Sequence, residues 1–131
     1  MCPITMFSLT VGLAPDARRQ AVTKRKLTVV LTTVTTEDEA ARCSRVLVEE
    51  RLAACVKQLP VGSTYRWEGK VEVAEERLLI VKTAADLLER LECRVRERSG
   101  YEVHEFIALD ATATSSPYLQ WLLDACPPGE G

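Results

Sequence analysis

A run of four large apolar residues, Leu78 to Val81, most constrains what this chain can fold into. It lies in a segment from Lys70 to Thr83, and Arg77 and Lys82 bracket it. A strand with one face in water alternates apolar and polar residues, and this run does not alternate. Both faces of the predicted strand therefore need a cover. Helices of the chain cover one face, and we expect a second copy of the protein to cover the other, with Lys82 close to the junction.

Length, composition and charge restrict the class of protein. A chain of 131 residues fits a single domain, and 47% apolar with 27% charged residues is typical of soluble globular proteins. A net charge of −2 gives no general attraction to nucleic acid. No apolar run approaches the roughly 18 residues that cross a membrane. We therefore expect neither a nucleic-acid nor a membrane partner.

The order of predicted elements indicates the fold. Strands are predicted at Leu27–Val34, Ala53–Trp67, Lys70–Thr83 and Tyr101–Leu109. With two helices, the predicted order is strand, helix, strand, strand, helix, strand, and a short last helix begins at Ser116-Pro117. Thr36 and Glu39 form a capping box for the first helix, and Thr83 is expected to cap the second. The order predicts an α+β, ferredoxin-like split βαβ fold. In this fold two helices cover one face of an antiparallel four-stranded sheet.

Two details refine the second strand and its connection. Pro60 and Gly62 predict a bend or bulge, because proline removes a ladder donor and glycine weakens the ladder. Glu68-Gly69-Lys70 predicts a hairpin turn into the third strand. The second and third strands are therefore expected to form one long hairpin.

The two ends of the chain differ from its centre. Residues 1–26 are basic, with Asp16 as the one acid, and are predicted to be a flexible extension. Positive charge follows the apolar part here, whereas a secretory signal has the reverse order. We expect a cytoplasmic protein, with organelle targeting by residues 1–26 as the alternative. Residues 27–126 form the predicted domain, and 127–131 a flexible tail.

Five motifs occur in one register between Leu27 and Cys126. They are Leu52-Ala53-Ala54-Cys55-Val56, Tyr65-Arg66-Trp67-Glu68-Gly69-Lys70, Lys82-Thr83, Tyr101-Glu102-Val103 with Glu105, and Pro117-Tyr118-Leu119-Gln120-Trp121. Together they resemble the CutA family of divalent-cation tolerance proteins. The resemblance implies a homotrimer whose open sheet faces pack around a three-fold axis. It also implies a role in tolerance of copper and other divalent metals, with a metal ion bound but not obligatory.

The chain departs from the family pattern at positions that bear on metal binding. Most relatives have proline where His104 stands. Copper ligands proposed in bacterial members correspond here to Thr32 and to Arg98-Ser99, so a copper site of that kind is not carried over. His104 is the one histidine of the chain and Cys55 is the best-placed thiol, and both ligand types suit copper or zinc. We predict His104 and Cys55 as metal ligands, although a structural role for each is the simpler alternative.

A second set of residues predicts a ligand pocket between subunits. A lysine that ends an apolar strand, close to carboxylates and aromatic rings, suits an anion or another small ligand. The set is Tyr65, Trp67, Lys82, Tyr101, Glu102 and Glu105. The alternatives are an ion pair of Lys82 that holds the trimer together and simple packing of Tyr65 and Trp67.

No motif of catalytic residues occurs. The chain has no glycine-rich phosphate loop and no nucleophile with a recognisable base, so we expect no enzymatic activity. The leading hypothesis is a CutA-like trimer in metal-ion tolerance. One alternative is a small-ligand or anion-binding signalling protein that resembles trimeric nitrogen-regulatory proteins. Another is a scaffold without a ligand.

Overall fold

The computed structural model describes residues 25–128, and eight elements succeed one another along them. The strands are β1 (Leu27–Val34), β2 (Cys55–Trp67), β3 (Lys70–Ala84) and β4 (Ile107–Asp110). The helices are α1 (Glu37–Glu49), α2 (Leu88–Arg98), which a 3₁₀ turn (Ala85–Leu87) precedes, and α3 (Ser116–Ala125). None of the helices within residues 25–128 combines the length and the apolar character that a membrane span requires.

The sheet has the order β2-β3-β1-β4, and every neighbouring pair is antiparallel. Val30 of β1 lies opposite Val81 of β3, and these two side chains pack with the buried faces of α1 and α2. The core residues contributed by the two helices are Ala40, Cys43, Leu47, Leu91 and Val95. The predicted antiparallel four-stranded sheet with both helices on one face is therefore confirmed.

Helix α1 begins where the sequence predicts. The Thr36 hydroxyl accepts a 3.0 Å hydrogen bond from the backbone N–H of Glu39, and the Glu39 carboxylate accepts one from the Thr35 hydroxyl at 2.5 Å. The capping box thus uses Thr36 as predicted, but Glu39 reaches one residue further back.

Cys43 of α1 lies in the core, and burial raises the pKa of its thiol, as expected for a cysteine with a packing role.

Strands β2 and β3 form an uninterrupted hairpin. Their register runs one to one from Cys55 opposite Lys82 to Trp67 opposite Lys70, which contradicts a bulge between Pro60 and Gly62. Proline is tolerated on an edge strand, which is the position of β2. The predicted turn is confirmed: Glu68 and Gly69 have φ of 51° and 81°, the two positive values that a two-residue type I′ turn requires.

The hairpin extends past the rest of the sheet. Strand β1 pairs with β3 only from Arg77 to Ala84, so residues 61–76 form a two-stranded projection that we call the hairpin arm. Val71 and Val73 on the arm are exposed, as are Tyr65 and Trp67. The arm therefore lacks the helical cover that the base of the hairpin has.

Strand β4 is shorter than predicted, because Tyr101 to Phe106 do not pair as a strand. In this segment, side-chain hydroxyls form hydrogen bonds with the backbone in place of strand pairing. The Ser99 hydroxyl accepts from the Tyr101 N–H at 3.0 Å, and the Thr32 hydroxyl donates to the Glu105 carbonyl at 2.6 Å. These bonds hold the segment beside β1 in an irregular conformation.

The predicted cap at Thr83 is also wrong. Strand β3 continues through Ala84, and the Thr83 hydroxyl is buried and donates to the Leu52 carbonyl at 2.8 Å. No side chain caps the 3₁₀ turn or helix α2. A buried hydroxyl needs a partner, and the carbonyl of Leu52, which precedes β2, provides one.

Arg25 precedes β1 and contacts two other parts of the chain. Arg25 is largely buried and donates from Nη2 to the Asp86 carboxylate and to the Cys126 carbonyl, both at 2.8 Å. It therefore connects the start of β1 to the end of α3. The predictions for residues 1–24 and 129–131 lie outside the described residues.

The sheet face opposite the helices, which we call the open face, is largely apolar. Leu59, Ile107 and Leu109 on this face are 38%, 46% and 51% exposed. Other aliphatic residues that the register places there include Val29, Leu31, Leu78 and Ile80. Tyr118 of α3 reaches one end, where its ring centroid lies 5.4 Å from the Lys82 ammonium.

The turn at Glu68-Gly69 generates a test of the hairpin. Gly69→Ala should lower the free energy of unfolding by about 1–2 kcal/mol, because a side chain disfavours positive φ. The control is Gly62→Ala, since Gly62 has ordinary φ and open space around its Cβ position. Urea denaturation at a fixed protein concentration measures both. Equal stability of the two variants would contradict the assigned turn.

The contact between α1 and α2 generates a pH prediction. Hydrogen bonds from Arg94 to the Glu50 carboxylate, at 2.9 and 3.0 Å, hold the pKa of Glu50 below its usual value of 4.5. The resulting stabilisation is present above pH 4.5 and is lost as the pH falls through the lowered pKa. Glu50→Gln should therefore reduce the loss of stability on acidification, measured by urea denaturation from neutral to acidic pH. The exposed Glu89→Gln should not.

Candidate functional site

A cleft of about 680 Å³ lies between the hairpin arm and the irregular segment that follows α2. Its walls come from the end of β1, from residues of β2 and β3 on the hairpin arm, and from residues 100–105. The lining residues are Thr33, Ser63, Thr64, Tyr65, Trp67, Glu76, Gly100, Tyr101, Glu102, Val103 and Glu105. The cleft therefore depends on the arm and the segment keeping their relative positions.

Glu76 connects the two walls. Its carboxylate accepts hydrogen bonds from the Ser63 hydroxyl at 2.6 Å and from the Tyr101 hydroxyl at 2.5 Å. Burial, and then the bond to Glu76, raise the pKa of Tyr101 well above its usual value, so this phenol stays neutral and donates. Both oxygens of Glu76 thus have neutral donors, and its negative charge is not cancelled.

Strand geometry explains why aromatic residues reach the cleft. Side chains two apart on a strand point to the same face, so Ser63, Tyr65 and Trp67 share one side of β2. Tyr65 and Trp67 remain exposed there. Tyr101 completes the aromatic lining from the opposite wall.

The charge of the lining is uniformly negative. Three glutamates line the cleft, and none of its lining residues is lysine, arginine or histidine. The ion pairs found within residues 25–128 involve none of Glu76, Glu102 and Glu105. The cleft is therefore suited to a cation and not to an anion.

The structure brings together five of the six predicted ligand-binding residues: Tyr65, Trp67, Tyr101, Glu102 and Glu105 line this cleft. Lys82 does not. It lies opposite Cys55 in the sheet, at the end of the open face near Tyr118. The ion pair suggested for Lys82 was one between subunits, and it stays a prediction; within one copy the aromatic neighbour of Lys82 is Tyr118.

Sequence reasoning missed Glu76 and Ser63. The turn contained the signal that would have found Glu76. With Glu68-Gly69 as a two-residue turn, a one-to-one register places Glu76 opposite Val61, on the face that carries Tyr65. This register was not predicted, because a bend or bulge was expected between Pro60 and Gly62.

The two predicted metal ligands are not brought together. His104 is partly buried, with Nε2 3.0 Å from the Glu92 carboxylate and its ring in edge contact with Phe106. Cys55 is a free, half-buried thiol on β2 opposite Lys82. Among residues 25–128, no three side chains of the types His, Cys, Asp and Glu are arranged to hold a metal ion. One copy of the chain therefore offers His104 and Glu92 as a pair, and Cys55 separately.

Comparison with known proteins agrees with the fold. A protein in Thermus thermophilus described as a divalent-cation tolerance protein CutA is 44% identical over 95 residues, which cover 72% of this chain and 92% of that protein. The chloroplastic protein CutA of Arabidopsis thaliana is also 44% identical over 95 residues. That match covers 72% of this chain but about half, 52%, of the relative.

Solved structures give the same result. The crystal structure of CutA1 from Oryza sativa superimposes with a TM-score of 0.77 at 37% identity, covering 79% of this chain and 96% of that one. The structure from Thermus thermophilus gives a TM-score of 0.71 at 43% identity, covering 73% and 94%. The family model described as CutA1 divalent ion tolerance protein matches residues 28–125. This chain therefore belongs to the CutA1 divalent ion tolerance family.

Proposed function

We propose that this chain assembles as a homotrimer and acts in cellular tolerance of divalent metal ions, copper among them. Family membership supports the metal role. The apolar open face supports assembly, and it is the observation on which the proposal rests. Apart from the half-buried thiol of Cys55, the hydroxyl of Thr33 and the two lysines Lys57 and Lys82, its centre consists of aliphatic side chains from all four strands.

Assembly follows from the cost of leaving this face in water. Burying one large aliphatic side chain contributes about 1.5–3 kcal/mol, and Leu59, Ile107 and Leu109 are each more than one third exposed in a single copy. Contiguous apolar patches of this kind mark interaction surfaces on soluble proteins. We propose three copies because the sequence resemblance implies a trimer.

Metal binding in this proposal is weak and uses His104. Imidazole nitrogen and carboxylate oxygen are both ligands for copper, and Nε2 of His104 lies 3.0 Å from the Glu92 carboxylate. Two donors from one copy leave the remaining positions to water or to another copy. A metal held in this way is exchangeable, and it is not required for folding.

The anion-binding alternative has less support. It needs a cation beside Glu102, whereas Lys82 lies opposite Cys55 and outside the cleft.

The proposed location is the cytoplasm. Targeting by residues 1–26 is the alternative, and the chloroplastic description of the Arabidopsis relative is consistent with it.

Replacement of one open-face residue tests assembly. Leu109→Lys should dissociate the trimer, because it places charge at an apolar junction where the leucine is 51% exposed in the single copy. Val48→Lys is the matched control, since Val48 is 42% exposed but lies on α1, behind the sheet. Native mass spectrometry should give three times 14.6 kDa for the wild type and the control. A single-chain mass for the wild type at nanomolar concentration would refute the proposal.

Calorimetric titration tests the metal site. Cu(II) should bind the wild type, and His104→Ala should weaken binding at least about tenfold, because it removes the one imidazole of the chain. Cys55→Ser should leave that site unchanged, since Cys55 lies in the sheet opposite Lys82. Unchanged affinity in the His104 variant would exclude this residue as a ligand. A loss with Cys55→Ser would assign the thiol instead.

A further inference from the structure

We propose that the cleft between the hairpin arm and residues 100–105 binds a small organic cation, an alkyl diamine that carries ammonium groups at neutral pH. This inference goes beyond metal tolerance and does not depend on it. It rests on three properties of the cleft: its volume of about 680 Å³, its aromatic walls and its uncompensated negative charge.

The aromatic walls provide the first argument. Tyr65, Trp67 and Tyr101 line the cleft from two sides. Within residues 25–128, the contact between a cationic side chain and an aromatic ring is that of Lys82 with Tyr118, at the other end of the open face. The rings at the cleft thus have no cation of this part of the chain over them. Aromatic rings attract ammonium groups through their negative faces, and tryptophan does so best.

The carboxylates provide the second argument. Glu76 is held between Ser63 and Tyr101, and both partners are neutral hydroxyl donors. Its remaining acceptor positions suit the N–H groups of an ammonium ion. Glu102 and Glu105 are exposed at the same cleft. A ligand with two ammonium groups would satisfy more than one of these carboxylates.

The third argument separates an organic cation from a metal ion. A divalent metal needs several donors converging at about 2.0–2.6 Å, and no such group of three exists among the residues that the structure describes. An alkyl diamine has no such requirement. Its apolar stem can lie against Tyr65 and Trp67 while its charged ends reach the carboxylates. The mixture of rings and carboxylates suits this class of ligand.

Titration calorimetry of the full chain at fixed ionic strength tests the proposal with four probes. 1,4-Diaminobutane should bind most tightly and n-butylammonium more weakly. n-Butanol, which keeps the stem but has no charge, should not bind, and Mg²⁺, which has only charge, should not displace the diamine. Binding of n-butanol as tight as that of the diamine, or full competition by Mg²⁺, would overturn the proposal, as would absence of diamine binding.

Matched variants test the location of the site. Trp67→Leu should weaken diamine binding about fivefold to thirtyfold, which corresponds to a cation–π contact of about 1–2 kcal/mol. Trp121→Leu is the control, because Trp121 is 47% exposed against 38% for Trp67 and lies on α3, outside the cleft. An equal loss in both variants would place the binding elsewhere and overturn the proposal.

A second pair of variants keeps the test decisive if Trp67→Leu folds poorly. Glu102→Gln changes an exposed residue and should weaken diamine binding, whereas Glu89→Gln on the outer surface of α2 should not. Circular dichroism checks that each variant folds. No effect of Glu102→Gln and Trp67→Leu in folded protein would refute the site. The oligomer and copper measurements are independent, so failure here is distinguishable from failure of the proposed function.

Discussion

The structure depends on the central run of β3 being apolar on both faces. Leu79 and Val81 are fully buried beneath α1 and α2, while Leu78 and Ile80 lie on the open face. Helices α1 and α2 cover one face of the four-stranded sheet and leave the opposite face uncovered. Within residues 25–128, helix α3 reaches the open face and covers the end near Lys82. The apolar residues of the open face therefore need a further surface to cover them.

The length of the hairpin is the second constraint, because it creates the cleft. Strand β1 stops pairing at Arg77, yet β2 and β3 continue to the turn at Glu68-Gly69. The arm thereby projects past the sheet and faces the segment that follows α2. Glu76 lies where the arm begins and is bonded across the gap to Tyr101. A register shift of one residue would turn Glu76 and Tyr65 to the other side and remove the site.

The sequence predicts the framework well, because strong periodic patterns and turn residues determine it. The strand and helix order, the Glu68-Gly69 turn and the Thr36 cap are confirmed. Two of the errors, the Thr83 cap and the length of β4, fall where side-chain hydrogen bonds outweigh local propensity. Tyr101 to Phe106 looks like a strand, but the hydroxyls of Ser99 and Thr32 bond to its backbone and keep it irregular.

The candidate site was less predictable, for a different reason. The sequence prediction placed Lys82 and Glu102 in one pocket between subunits, whereas within one copy the two lie at opposite ends of the open face. The register of the whole hairpin determines how far apart these two residues lie. That register also identifies Glu76, which no local motif marks. Residues far apart in sequence are brought together by pairing that a single strand does not encode.

The open face therefore has two chemically different regions. Its centre is aliphatic, and burial there is favourable, whereas the cleft beside the arm carries three glutamates, which are costly to bury without partners. Copies that pack through the centre would be expected to leave the acidic region at the rim, in contact with water. On this arrangement Leu78 and Ile80 can be hidden while Glu102 and Glu105 stay solvated. One sheet face can then serve assembly and ligand binding without either compromising the other.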